Sequence, residues 1–476
     1  MRSEKLQDAI GMVDAALVAR AGKYSKNSRR LKWIIPVAAV LVLAIGIGGV
    51  FGSGWWRSPG SGVGTDGFVL ARATYPVMAK YPFDDPKDTA AMRQWMDDRG
   101  VRRSYNGAGA GLTDFFKTTV STMFEGMENE NRIYSPLNLY MALALMAEIS
   151  GGAARREILD LLGSESIEAL RKQANAVWNA NYYDDGTVTS ILANALWLTS
   201  NDELSYKQET LDLLAQNYYA SSFKGDFHDA EYLEAIKLWL NEQTRGNLEN
   251  SVEELDLADA TMVLASTLYF QAIWNESFRN GKTVKKAFHS PDGDVTCDFM
   301  CQTSDQMSYY WGEKFSAVSK ELANSGSMYF ILPDEGVALN ELFSDAEALA
   351  MMVSSRSEIK RKTVMVDLEL PKFDVSSDME ISSQLKKMGV LRSFSYTSDY
   401  TLLSEEAELR ISEVNHSVRV AVDEDGVEAT AFTAVEGETL GIPPSTRVNF
   451  VLDRPFVFVI TGSDGLPLFV GTVNNP

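Results

Sequence analysis

Apolar residues are most concentrated near the start of the chain, in residues 33–51, which run from Trp33 to Phe51 without a charge. A helix rises about 1.5 Å per residue, so this run would reach roughly 28 Å, close to the hydrocarbon thickness of a bilayer. Trp33, Trp55 and Trp56 stand where interfacial aromatic side chains are expected. The pattern predicts one transmembrane helix. A cleaved secretory signal is disfavoured because the run starts late and lacks a clear Ala-x-Ala site, and a core helix because no polar face flanks it.

Charge on either side of this run sets the predicted topology. Residues 1–32 hold eight Lys or Arg against three acids, whereas Arg57 is the only nearby charge after the run. Since basic segments stay in the cytoplasm, residues 1–32 are predicted to be a cytoplasmic stub and the body to be extracellular. Residues 52–66 are rich in Gly and Ser and predict a flexible stalk. The predicted location is the cell membrane, crossed once.

Shorter patterns lie on both sides of the run. In the stub, helical spacing predicts a short amphipathic helix at Leu6, Ile10, Val13, Ala16 and Leu17. A second amphipathic helix is predicted from Leu112, Phe115, Phe116, Val120, Met123 and Phe124. Residues 295–301 are rich in β-branched and aromatic residues and predict a strand. The two cysteines, Cys297 and Cys301, would lie about 13 Å apart along it, beyond disulfide reach, and no histidine within ligand spacing completes a metal site.

Composition and charge exclude several classes of function. The chain has 476 residues, 45% of them hydrophobic, and a formal net charge of −21. It can therefore bury a large core, but it offers no basic face for nucleic acid. The histidines His228, His289 and His416 occur without a nucleophile elbow, a zinc-binding pair or a phosphate-binding loop. No enzyme activity, cofactor or metal site is predicted.

A set of motifs in the second half of the chain carries more information. Residues 423–435 begin with an acidic-Gly turn and continue with small residues, and Arg454-Pro455-Phe456 and residues 468–476 follow them. Other motifs precede these, namely residues 133–138, 141–147, 157–163, 239–246, 268–274 and 370–373. In their order and spacing these segments resemble the serpin family. With the predicted N-terminal membrane anchor, the chain is similar to a bacterial-type member.

The resemblance implies an α+β serpin fold over residues 111–476. Such a fold has three β-sheets, a shell of about eight to nine helices and an exposed reactive-centre loop, here at about residues 424–447. Residues 67–110 remain as an N-terminal extension. It carries enough aromatic side chains, Trp95 among them, that we expect it to pack on the body. A monomer is expected.

In the serpins a proteinase cuts the reactive-centre loop, which then inserts as a strand into a sheet, an established example of β-strand addition. Successive side chains of a strand face opposite sides. From the hinge at Gly426 onward, the side chains predicted to face inward are Val427, Ala429, Ala431 and Thr433. Insertion in this phase buries no charge, which favours an inhibitor, because Glu428 falls on the outward side.

The resemblance also implies gating residues where the loop enters the sheet, a region called the breach. Glu424 matches an acidic residue that pairs with a lysine in the family, and Lys372 matches that lysine. The resemblance therefore implies an ion pair between Glu424 and Lys372. Trp274 is expected to pack beside it.

A second group of gating residues is implied behind the centre of the sheet, at the shutter. His416 matches its central histidine, and Ser135 is expected beside it. Two positions depart from the family pattern, since Asn138 stands for a serine and Ser266 stands for the asparagine that usually bonds the histidine. The polar network is expected to be rewired.

Counting along the loop locates the scissile bond. Counting forward from Gly426 with the common inhibitory length places it between Leu440 and Gly441. Counting back from the C-terminal motif lands about four residues later, at two consecutive prolines, which fit proteinases poorly because the ring fixes φ. Leu440-Gly441 is preferred, and the alternative bonds involve Thr439 and Glu438. A leucine suits a hydrophobic primary pocket of the chymotrypsin-like or elastase-like kind.

Together these inferences predict a membrane-anchored, extracellular inhibitor that traps serine proteinases, with cysteine proteinases as a further target class. The alternative is a non-inhibitory serpin that acts as a carrier, chaperone or adhesive surface protein. Phe432 favours the alternative, because a bulky side chain in the hinge would slow insertion. A third hypothesis, a signalling protein whose stub binds a cytoplasmic partner, rests on the N-terminal helix alone.

Overall fold

The computed structural model describes residues 64–127, 129–200, 204–244, 257, 260–278, 282–353, 356–395, 399–405, 409, 411, 414–427 and 446–476. These residues belong to one compact unit. No helix among them is both long and apolar enough to cross a bilayer. The predicted membrane segment, residues 33–51, lies outside the described residues, and so does the stub.

Nine α-helices lie in the described part of the chain, and they are α1 (Thr89–Arg103), α2 (Thr113–Met123), α3 (Pro136–Ile149), α4 (Gly152–Leu162), α5 (Ile167–Asn181), α6 (Gln208–Asn217), α7 (Ala230–Gln243), α8 (Ala346–Met352) and α9 (Ser382–Lys387). The strands there are β1 (Val69–Ala71), β2 (Arg132–Tyr134), β3 (Tyr183–Asp184), β4 (Val188–Thr199), β5 (Ala220–Gly225), β6 (Met262–Ile273), β7 (Thr283–Ser290), β8 (Gly293–Trp311), β9 (Phe315–Glu321), β10 (Ser327–Pro333), β11 (Lys360–Pro371), β12 (Phe373–Glu380), β13 (Asn415–Val422), β14 (Gly426–Val427), β15 (Arg447–Val451), β16 (Phe456–Thr461) and β17 (Pro467–Val473). Most helices precede β6 and most strands follow α7, an α+β arrangement.

The first sheet has eight strands in the order β1-β5-β4-β6-β14-β13-β12, and β3 pairs with β4. All but the last residue of β4 are buried. Its apolar run is nearly continuous because other layers cover both faces of the strand. β14 is only two residues long. The strands on either side of it, β6 and β13, are therefore linked over a short distance at one end.

The second sheet has nine strands in the order β15-β11-β8-β9-β10-β16-β17-β2, and β7 pairs with β8. β8 is 19 residues long. It pairs with β7 at its start, with β11 along most of its length and with β9 at its end. The expectation of three sheets therefore differs from the two hydrogen-bonded sheets of the described residues, because this one strand joins what would otherwise be separate sheets.

α3 is the central helix of the core, and each of its residues is buried. Its sequence is apolar on all sides, as expected for a helix between β6 of one sheet and β17 of the other. Ser135 caps the helix by accepting the backbone N–H of Asn138 at 3.3 Å, and Pro136 fits the first turn because it has no N–H to satisfy. The cap fixes where the helix starts and therefore where Asn138 lies.

The residues that precede α2 pack against the rest of the unit. β1 pairs with β5 and extends the eight-stranded sheet at its edge. The ring of Tyr75 packs against three aromatic rings, those of Trp178, Tyr182 and Tyr219, at centroid distances of 5.7, 5.8 and 6.3 Å. α1 turns three buried side chains inward, those of Trp95, Arg99 and Arg102.

Tyr232 fastens α7 to β4. Its buried hydroxyl donates to the carbonyl oxygen of Leu198 at 3.0 Å and accepts the backbone N–H of the same residue at 3.1 Å. Gly225 leaves room for the ring, because a Cβ at that position would lie 2.2 Å from Cδ2 of Tyr232. The tyrosine and the glycine together set how closely α7 approaches the sheet.

We expect Tyr232→Phe to lower the free energy of unfolding by about 1–3 kcal/mol, because a buried N–H and C=O of Leu198 lose their partner. Urea unfolding followed by circular dichroism measures the change. Tyr206→Phe is the matched control, since the hydroxyl of Tyr206 donates only to the carbonyl oxygen of Thr199 in a half-buried position. Equal losses in the two variants would contradict the assignment.

Candidate functional site

The end of β13 turns back into β14 and places two residues between β6 and β13. Val427 pairs with Ala272 of β6 and with Val422 of β13. Gly426 pairs with Ile273 of β6. Among the described residues, β14 is the only hydrogen-bonded link between β6 and β13. The hinge segment thus already occupies the first positions of a strand between them.

Gly426 lies closer to β6 than any side chain would allow. A Cβ at this position would stand 2.2 Å from the carbonyl oxygen of Ala272 and 2.7 Å from Cα of Ile273. Both are backbone atoms that cannot rotate away, so glycine is required here. Val427 is fully buried in the core.

Three consecutive carbonyl oxygens of the hinge turn are held by two aromatic residues. Trp274 donates its indole N–H to the carbonyl of Asp423 and its backbone N–H to that of Asp425, each at 2.9 Å. The backbone N–H of Phe278 donates to the carbonyl of Glu424 at 3.0 Å. The carboxylate of Asp423 accepts the N–H of Asp425 at 2.9 Å. The turn is therefore fixed from outside and from within.

Lys372 and Glu424 form an ion pair at 2.6 Å, and the hydroxyl of Thr283 donates to the same carboxylate at 2.7 Å. Burial on its own would raise the pKa of Glu424. The hydrogen bonds from Lys372 and Thr283 outweigh burial and hold the pKa of Glu424 below its ordinary value. The pair joins the hinge to the residue that precedes β12.

A buried lysine lies against the two aromatic residues. Lys320 on β9 is 5% exposed, and its Nζ stands 5.4 Å from the ring centroid of Trp274 and 4.6 Å from that of Phe278. It also donates to Gln302 at 2.5 Å. Burial lowers the pKa of Lys320 to about 8. The ammonium group attracts both ring faces and so helps to hold the residues that bind the hinge.

His416 lies on β13 of the eight-stranded sheet, next to Ser135 at the start of α3. Its Nε2 accepts the backbone N–H of Ser135 at 3.0 Å, and the ring of Tyr134 lies 5.4 Å away between centroids. Burial lowers the pKa of His416 to about 4. An accepting Nε2 requires the neutral imidazole, which agrees with this direction.

The two unusual shutter residues lie opposite each other. Asn138 donates its amide N–H to the carbonyl oxygen of Ser266 at 3.0 Å. The hydroxyl of Ser266 lies within hydrogen-bonding distance of the side-chain oxygens of both Asn138 and Asn194, the latter at 2.8 Å. A hydroxyl has one proton, so it donates to one of them at a time. The network joins α3, β6 and β4, and it is connected to His416 through Ser135, which accepts the N–H of Asn138 and donates its own N–H to His416.

Comparison with known proteins identifies the family. The family model for "Serpin (serine protease inhibitor)" matches residues 111–476. This chain is a serpin. A curated relative, Serpin-ZX of Arabidopsis thaliana, is 30% identical over 399 residues, which covers 80% of this chain and 100% of that protein.

Solved serpin structures share the fold. The thermophilic serpin tengpin in its native state superposes with a TM-score of 0.68 at 25% identity, covering 77% of this chain and 94% of its own. Human thyroxine-binding globulin gives a TM-score of 0.66 at 22% identity, covering 77% and 100%. The second likeness shows the fold alone, and that protein is named for binding thyroxine.

The fold brings some of the site residues named from the sequence together, and the others lie outside the described residues. The breach contains Lys372, Trp274 and Glu424, and the shutter contains Ser135, Asn138, Ser266 and His416. Seven of the site residues named from the sequence lie outside the described residues of this serpin, namely Ala429, Ala431, Thr433, Glu438, Thr439, Leu440 and Gly441.

Four residues that complete the site were missed in the sequence analysis, and they are Phe278, Thr283, Asn194 and Lys320. A signal existed for Asn194, which is the one amide in the apolar run of β4. Lys320 shares its face of β9 with Ser316 and Val318, and this mixed pattern gives no sign that the lysine is buried. Thr283 carries no such signal.

We expect the stability of this serpin to fall as the pH drops from about 6.5 to about 4. Between these values the unfolded chain binds a proton at His416 that the folded chain does not. The stability is complete above pH 6.5 and falls by up to about 3 kcal/mol as the pH approaches 4. Urea unfolding between pH 4 and 7 measures it.

The variant His416→Gln should show a smaller pH slope than the wild type, because it removes the titrating group. His289→Gln is the control, since His289 is exposed and pairs with Asp294 on the surface. Identical slopes for the wild type and His416→Gln would contradict the expectation.

Proposed function

We propose that this serpin inhibits serine proteinases by trapping them. A proteinase cuts the reactive-centre loop, and the loop inserts between β6 and β13 while it still holds the proteinase as an acyl-enzyme. The observation that carries the proposal is β14, in which Gly426 and Val427 already pair with the flanking strands. Insertion then extends an existing strand and needs no new nucleus.

The flanking strands support the same proposal. In the described part of the chain, β6 pairs with β4 and β14, and β13 pairs with β12 and β14. Residues 427–440 would span roughly 45 Å at about 3.3 Å per residue, enough to run along both strands. About a dozen new hydrogen bonds, each worth about 0.5–1.5 kcal/mol net, would supply on the order of 10 kcal/mol. The native state would then be held by a kinetic barrier.

The proposed reactive bond defines the class of target. Leu440 before Gly441 suits serine proteinases with a hydrophobic primary pocket, of the chymotrypsin-like or elastase-like kind. Cysteine proteinases are a second class of target. The protein acts as a substrate that its target cannot release, and it catalyses no reaction of its own.

The test is denaturing gel electrophoresis of the full-length chain in mild detergent after mixing with a chymotrypsin-like proteinase. We expect a stable band at the summed mass. Ala429→Arg should abolish the band and leave only clipped chain, because this side chain is predicted to face inward and insertion would bury the new charge at a cost of several kcal/mol. Glu428→Arg is the matched control, since the neighbouring side chain is predicted to face outward, and the band should remain.

A clipped chain without a stable band, for the wild type and across several proteinase specificities, would overturn the inhibitor proposal in favour of the non-inhibitory carrier. Loss of the band in both hinge variants would show that charge on either face blocks trapping, which contradicts the assigned phase.

We also propose that residues 33–51 anchor the protein in the cell membrane, with residues 1–32 in the cytoplasm and the serpin domain outside. The uncharged run and the basic segment before it support this. The full-length chain should sediment with membranes after carbonate washing, and a variant without residues 1–51 should be soluble. Protease added to intact cells should cut the serpin domain. Full-length protein in the soluble fraction, or protected from that protease, would overturn the proposal.

A further inference from the structure

One side chain of the N-terminal extension reaches the end of the sheet where the loop enters. Arg99 of α1 is 2% exposed, and its guanidinium donates to the carboxylate of Asp185 and to the carbonyl oxygen of Asn324. Its Cζ lies 5.1 Å from the ring centroid of Trp95 and 5.0 Å from that of Tyr183. Both polar partners lie in turns, one between β3 and β4 and the other between β9 and β10.

Each of these turns is bonded to the last residues of β6. After the first turn, Val188 pairs with Ala272. From the second turn, the backbone N–H of Ala323 donates to the carbonyl oxygen of Ile273 at 2.8 Å. Ala272 and Ile273 are the same two residues that pair with β14. Arg99 therefore joins two turns that flank the point at which the loop has begun to insert.

Asp185 is built into the first turn and depends on Arg99 for its countercharge. The carboxylate is fully buried, and its Oδ1 accepts the backbone N–H groups of Thr187 and Val188 at 2.8 and 2.9 Å. Among the described residues, Arg99 is the only cation within ion-pair distance of it. The family match begins at residue 111, so this cation comes from a segment outside the matched region.

Insertion has to change the geometry that Arg99 spans. A new strand between β6 and β13 separates them by about a further strand spacing, roughly 4.8 Å, and β4 is bonded to β6 and moves with it. The turn that contains Asn324 belongs to the other sheet, through β9 and β10. Moving β4 and β6 against that sheet strains the backbone bond from Ala323 to Ile273 and both bonds of Arg99, so the side chain adds to the resistance that the backbone already provides.

We propose that Arg99 is a positioning residue for loop insertion, which braces the β3–β4 turn against the β9–β10 turn and slows insertion while the loop is uncut. The proposal rests on the proposed insertion between β6 and β13. Through this brace, the extension that leads to the N-terminal segment acts on the part of the sheet that the loop must enter.

The test supplies the missing strand as a separate molecule. A synthetic peptide with the sequence of residues 428–440 is incubated with the full-length chain in mild detergent. Its incorporation is followed by mobility on native gels and by resistance to urea. We expect Arg99→Met to take up the peptide at least tenfold faster than the wild type.

Two further variants separate bracing from stability. Arg102→Met removes the other buried arginine of α1, which bonds Asn179 on α5 and touches neither turn. Its uptake rate should stay within twofold of the wild type. Arg99→Met with Asp185→Asn removes both charges, and the asparagine oxygen can still accept the turn N–H groups. This double variant should regain most of the urea stability that Arg99→Met loses, and it should still take up the peptide at least tenfold faster.

A return of the double variant to the wild-type uptake rate would overturn the brace, because Arg99 would then act through stability alone. Equal acceleration by Arg102→Met would overturn it as well, because any loosening of the extension would suffice. If neither the wild type nor any variant takes up the peptide, insertion itself fails and the brace fails with it. Uptake by the wild type at the same rate as Arg99→Met contradicts the brace and leaves the proposed trapping mechanism intact.

Discussion

The geometry of the hinge and the breach depends on how the strands β6 and β13 are linked. In the described part of the chain the two residues of β14, Gly426 and Val427, are the strand that lies between them, and the contacts of the breach hold the turn that leads into it. The carbonyls of the hinge turn are taken by Trp274 and Phe278, while Glu424 is tied to Lys372 at 2.6 Å. Because β14 is only two residues long, an inserted strand would continue it along the facing edges of β6 and β13.

Much of this could be predicted from the sequence, because short motifs in a fixed order identify the fold and place the breach residues. The merging of two sheets could not be predicted, since it depends on how far β8 continues to pair. The roles of Lys320 and Arg99 were also out of reach. Burial is set by what packs around a side chain, and no local pattern links Arg99 of the extension to Asp185, which lies 86 positions later.

The interior of this acidic protein holds several buried cations, and aromatic rings are part of the environment of each. Lys320 lies against Trp274 and Phe278, and the guanidinium of Arg356, which is half-buried, lies 4.0 Å from the ring centroid of Tyr329. Ring faces attract a cation without adding a second charge that must be desolvated. Arg99 combines both solutions, with a carboxylate at one end and two rings beside it. The positive charges inside the protein are therefore stabilised mainly by aromatic rings, and for Arg99 also by a carboxylate.

The hydroxyl of Ser266 gives the shutter a hydrogen bond that can change its acceptor. It stands between two amide oxygens, those of Asn138 on α3 and Asn194 on β4, and has one proton for both. A rotation about the Cβ–Oγ bond turns the O–H group from one acceptor towards the other without moving a heavy atom, and the proton stays on the serine oxygen. If loop insertion moves β4 and β6 over α3, Ser266 can keep its hydrogen bond to Asn194, which lies beside it in the same sheet, and only its contact with Asn138 has to change.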